Sequence, residues 1–123
     1  MRLGTIGWID LTVSDAEQVR DFYQAVVGWT ASPVNMGEYE DYSMNAPDDG
    51  EAIAGVCHAL GGNADLPATW MIYIVVADLE HSMEVCRKLG GAVVVQRRQM
   101  GKARYCVIRD PAGATCSLYQ PGE

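Results

Sequence analysis

Two side chains in this 123-residue chain stand out as able to do acid–base chemistry from within apolar surroundings, Asp10 and His58. Asp10 lies in the stretch GWIDLTV, which alternates in character: Ile9, Leu11 and Val13 point to one side, and Trp8, Asp10 and Thr12 to the other. A carboxylate on a covered strand face is uncommon. It is open to three readings: solvation at a rim, pairing across a subunit interface, or work as a counter-charge or general base. Trp8, two residues earlier on the same side, offers a stacking face and one N–H donor. His58 falls in a second apolar stretch, and it is read either as a structural histidine or as an acid–base group. The other histidine, His81, lies on a helical pattern and is expected to face solvent. No Ser/His/Asp or Cys/His arrangement is evident from spacing. The four cysteines, Cys57, Cys86, Cys106 and Cys116, form no CxxC pair and are read as buried free thiols.

The elements that carry these residues follow from periodicity. After GWIDLTV, Ser14 and Glu17 stand at capping-box spacing. Val19, Phe22, Tyr23 and Val26 make a helical stripe that ends at Gly28. Shifting the sequence by about 63 residues brings Asp15 onto Asp78, Glu17 onto Glu80 and Gly28 onto Gly91. The second copy, WMIYIVVADLEHSMEVCRKLGGAV, predicts another strand and helix. Asp78 is its N-cap, Leu79, Met83, Cys86 and Leu89 form its stripe, and Gly90 closes it. Three strands are expected after each helix: about 30–36, 39–45 and 53–60, then 92–99, 103–109 and 114–120. Turns 47–50 and 110–113 occupy matching places. The expected architecture is therefore α+β, a duplicated βαβββ unit in one domain spanning 1–123. Its modules are 5–60 and 69–121, with 61–68 as linker.

Composition narrows the partners. Net charge is −7; residues 1–60 contribute −8, from two arginines against ten carboxylates. With no basic stripe for a phosphate backbone, nucleic acid is not expected as a partner. The acidity suits solubility, or a preference for cationic ligands. No basic segment leads into an apolar run at the N-terminus, and no stretch has membrane-span length, so a cytoplasmic protein without membrane partners is expected.

The ordered series WIDLTVSD, FYQAVVGW, AGV, WMIYIVVADLE, LGG and RYCVIRDPAGATCSLYQP resembles the vicinal-oxygen-chelate superfamily along essentially the whole chain. That superfamily includes glyoxalase I, bleomycin-resistance proteins and extradiol dioxygenases, and the similarity is strongest to a lactoylglutathione-lyase-like branch. The resemblance implies a cupped, mixed eight-stranded sheet with helices on its outer face, and a divalent metal held in the cup by four side chains. Those four positions fall here on Trp8, Met71, Ser117 and either Ala54 or Gly55, none of which suits a hard or borderline cation. No metal and no cofactor is therefore expected. Alternation would line the cup with Trp8, Asp10 and Thr12, with Met71, Tyr73 and Val75, and with Thr115, Ser117 and Tyr119. Either Tyr42 and Met44 or Tyr105 and Val107 would join them. The expected ligand-binding set is Trp8, Asp10, Thr12, Tyr42, Met44, His58, Met71, Tyr73, Ser117 and Tyr119. Two functions remain: the first is a metal-free protein, expected as a homodimer, that binds a small aromatic molecule, a cationic one being favoured by the acidity. The alternative is a glyoxalase-like lyase, isomerase or dioxygenase-related enzyme working without the usual metal.

Overall fold

The computed structural model describes residues 1–122. Its elements run β1 (Ile6–Val13), α1 (Ala16–Val27), β2 (Thr30–Asn35), β3 (Glu40–Asn45) and β4 (Ala52–His58). A short 3-10 turn (Gly61–Asn63) follows, then β5 (Trp70–Val75), α2 (Leu79–Lys88), β6 (Ala92–Met100), β7 (Ala103–Arg109) and β8 (Thr115–Gln120). The strands form one mixed eight-stranded sheet, so the α+β architecture of two βαβββ repeats holds. Among the described residues, no helix is long and apolar enough to cross a membrane.

Two compact units divide the chain: Ile9–Trp70, and Met71 onward together with Met1–Trp8. In the first, the strand order is β2-β3-β4-β1, with β1 parallel to β4. In the second it is β5-β8-β7-β6, with β5 parallel to β8. A parallel neighbour needs a crossover rather than a hairpin, and each repeat supplies one through its helix and two intervening strands.

Helix α1 starts one residue later than the Ser14–Glu17 spacing implies. Asp15 is its N-cap, with Oδ1 accepting from the Gln18 N–H at 3.1 Å, so Ala16 becomes the first helical residue and is fully buried. Gly28 ends the helix at φ 88°, a conformation that costs a residue with a Cβ about 1 kcal/mol or more. Asp78 caps α2 by accepting from the His81 N–H at 3.1 Å.

Each helix covers one face of its own half-sheet. Ala16 of α1 packs onto Tyr42, Met44 and Val56 of the strands, with Val13, Val19, Tyr23, Trp29 and Trp70 around them. Leu79 and Met83 of α2 pack onto Cys106 and Leu118, with Ile74, Val76, Val93 and Ile108 around them. The predicted stripes are narrower than the sequence suggests: Phe22, Val26 and Leu89 are exposed, on the shoulders of their helices. All four cysteines are free thiols, and only Cys106 is fully buried; Cys57, Cys86 and Cys116 are half-buried.

Candidate functional site

The first unit turns a polar sheet face away from α1. Register pairs Asp10 with Gly55 and Thr12 with Cys57 across β1 and β4. In β3 the sequence Asp41-Tyr42-Ser43-Met44-Asn45 alternates, so Tyr42 and Met44 pack under α1 while Asp41, Ser43 and Asn45 take the opposite side. Placing Tyr42 and Met44 in the ligand site is thus corrected: Met44 is fully buried core, and the Arg20 guanidinium lies 4.6 Å over the Tyr42 ring. The even-numbered residues are the apolar ones, and the helix claims them.

What replaces them is a hydrogen-bonded polar row. Ser43 Oγ donates to Asn45 Oδ1, and Asn45 Nδ2 donates to Ser32 Oγ, both at 2.8 Å. Asp41, 6% exposed, accepts from the His58 backbone N–H at 2.8 Å, and its Oδ1 lies 3.3 Å from His58 Nδ1. The His58 ring also stands edge-on to Tyr39, with centroids 5.6 Å apart. Alternation along β4 puts Cys57, rather than His58, on the side of Asp10 and Thr12. Burial, the charges of Asp10 and Asp41, and a hydrogen bond to Asp41 together push the Cys57 thiol well up, so it stays protonated.

The second unit shows a different face away from α2. Register pairs Tyr73 with Ser117 and Ser117 with Val107, and pairs Val75 with Tyr119 and Tyr119 with Tyr105. Met71, Tyr73 and Val75 are buried there, and the Tyr73 and Tyr105 rings stand 6.2 Å apart. Tyr105 and Val107 are therefore the pair that shares the side of Ser117. Ser117 is fully buried and donates its hydroxyl to the Cys106 carbonyl at 2.7 Å. Trp8 is half-buried in β1.

A family model described as the Glyoxalase/Bleomycin resistance protein/Dioxygenase superfamily matches residues 5–118. The chain belongs to this superfamily. It is 31% identical to the putative glyoxylase CFP32 of Mycobacterium tuberculosis (strain CDC 1551 / Oshkosh), over 97% of this chain and 46% of that one. It is 30% identical to the anthracycline biosynthesis protein DnrV of Streptomyces peucetius, over 97% of this chain and 48% of that one. The chain thus spans about half the length of the curated relatives it matches. Among solved structures, methylmalonyl-CoA epimerase from Mycobacterium tuberculosis shares the fold with a TM-score of 0.61 at 16% identity, covering 98% of this chain and 89% of that one.

Membership of the superfamily raises the question of a metal, and the side chains present do not fit one. The repeat decides the fourth position: Asp10 pairs with Gly55 as Tyr73 pairs with Ser117, whereas Ala54 pairs with Met44 in the α1 core. The donor set is then Trp8, Met71, Ser117 and Gly55. An indole N–H, a thioether, a hydroxyl committed to a carbonyl and a bare backbone make no site for a hard or borderline divalent cation. What the first unit can do instead is hold positive charge near Asp10 and Asp41, or take a proton. The Asp41 carboxylate, 3.3 Å from Nδ1, orients the His58 ring, as a general base requires.

Proposed function

We propose that this chain binds a small aromatic, cationic molecule without a metal, on the sheet face that carries Asp10. The observation that carries this reading is that strand register and alternation put Asp10 and Asp41 on the same sheet face, the one turned away from α1, which makes a local concentration of negative charge there. Gly55, opposite Asp10 in the register, puts no side chain beside the carboxylate, and Thr12 adds a hydroxyl on the same side. A cation held partly desolvated against Asp10 gains on the order of 1–3 kcal/mol. The excess of carboxylates in residues 1–60 attracts the same charge at longer range. The resemblance to a protein named for anthracycline biosynthesis supports a planar aromatic class of ligand. Free thiols suit a reducing compartment, so the cytoplasm is the proposed location. A homodimer is proposed because Phe22 and Val26 on α1 are 56% and 63% exposed, more apolar surface than a solitary helix face usually leaves in water.

The test is mass spectrometry of the small molecules released when the purified protein is denatured, with elemental analysis of the same sample. A retained aromatic amine and no stoichiometric metal supports the proposal; about one metal per chain overturns it.

The second reading is a metal-independent lyase or isomerase, and one observation favours it: the Asp41 carboxylate orients the His58 imidazole. Turnover of a candidate carbonyl substrate that is lost in His58→Gln, with ligand binding intact, would move this reading ahead.

A further inference from the structure

The near-neutral balance of residues 61–123 conceals an uneven distribution. Residues 87–109 hold seven of the chain's nine cations and no carboxylate. Several are already engaged: Arg97 with Glu80 at 3.4 Å, Lys88 with Glu84 at 3.2 Å, and Arg87 with Gln96 at 3.2 Å. Lys102 and Arg104 instead line a groove of about 710 Å³ in the second unit, together with Leu3, Val76, Gln120 and Pro121.

Local structure sets the two cations there. Gly101, at φ 61°, and Lys102 form the two-residue turn between Met100 and Ala103, where a first residue of positive φ matches the strand twist. Lys102 on this turn and Arg104 on β7 both border the groove. Arg104 pairs with Gln120 across β7 and β8, and Gln120 Oε1 is held by the Leu79 N–H at 2.8 Å. The C-terminal segment passes directly against Lys102: a Cβ on Gly122 would stand 2.7 Å from the Lys102 carbonyl oxygen, so only glycine allows this approach.

We propose that this groove binds a small oxyanion of two or more negative charges, a phosphate ester or a polycarboxylate, through Lys102 and Arg104. The guanidinium presents a planar fork to two oxygens and the ammonium adds a mobile point charge. The proposal goes beyond the Asp10 reading and shares no residue with it, so either stands if the other fails.

Isothermal titration with inorganic pyrophosphate and, separately, with citrate tests it, at about 20 mM ionic strength where screening is weak. Saturable binding is expected with a Kd on the order of 1 mM or tighter for at least one of them, and the stronger of the two identifies phosphate or carboxylate as the class. Lys102→Ala and Arg104→Gln should each weaken binding about tenfold, and the double variant should abolish it. Arg109→Gln, outside the groove, should leave it unchanged. Lys102 is exposed at a turn, so Lys102→Glu gives a second variant that keeps the fold, checked by its melting temperature. No binding up to about 10 mM of either anion, or equal weakening by Arg109→Gln, overturns the proposal.

Discussion

Removing the Asp41 carboxylate should be costly, because it serves two groups of His58 from a buried position. Asp41 accepts from the His58 backbone N–H at 2.8 Å and faces its Nδ1 at 3.3 Å, with only 6% of the residue exposed. Asp41→Ala leaves that backbone N–H without its acceptor, a loss of about 1–3 kcal/mol. Losing the contacts to the ring and to the Cys57 thiol adds about 1 kcal/mol, partly offset because no carboxylate remains to be desolvated. The expected net is about 3 kcal/mol. Asp41→Asn keeps an acceptor in place and should cost about 1 kcal/mol. In a chain of this size, 1 kcal/mol moves Tm by about 4 °C, so the alanine variant should melt roughly 12 °C lower and the asparagine variant roughly 4 °C lower. Urea titration should give the same order with an unchanged m-value. Both variants also remove a charge that pushes the Cys57 thiol up, so both should speed its reaction with a disulfide reagent at alkaline pH. An alanine variant within about 1 °C of the parent, or an asparagine variant equally damaged, would refute the placement of this carboxylate.

Other outcomes follow from the same structure. Met44→Ala, at a fully buried position under α1, should cost about 2–5 kcal/mol in urea unfolding, as a core residue and not a ligand contact. Burial holds the Cys106 thiol up at about 11, and Cys57 and Cys116 are also raised, while the unfolded thiols ionise near the ordinary value of 9. Stability from these thiols is therefore complete below pH 9 and falls above it, by roughly 1.4 kcal/mol per pH unit for each thiol not yet ionised in the fold. Urea midpoints measured from pH 8 upward should be level to about pH 9 and decline beyond it, and Cys57→Ser should make the decline shallower; a flat profile above pH 9 would contradict the raised thiols. Light scattering at micromolar concentration should report a dimer, and Phe22→Glu with Val26→Glu should give a monomer; an unaltered dimer would place the interface elsewhere.

Much of the fold was readable because its signals are local. The shared strand–helix–glycine order fixed both repeats, and Asp78 was recognisable as a cap. Ser14 misled because its spacing to Glu17 is also correct for a cap, yet Asp15 beside it makes the bond. Alternation says which residues share a face but not which face a helix will cover. In β3 the information was present: Tyr42 and Met44 are the apolar members of Asp41-Tyr42-Ser43-Met44-Asn45, so the covered side had to be theirs. Ala54 and Gly55 are equally small, and only the β1–β4 register separates them. The Asp41–His58 contact joins residues 17 apart through strand pairing, and no spacing rule announces it.

The central claim, metal-free binding of an aromatic cation at Asp10, is tested most directly by thermal melting of chelator-treated protein with a matched pair of planar ligands. Proflavine supplies the cation and anthracene-2-carboxylate the anion. The cation should raise Tm and the anion should not, and Asp10→Asn should remove most of the difference while melting like the parent alone. A larger shift with the anion, or a preference unchanged in Asp10→Asn, would contradict the account.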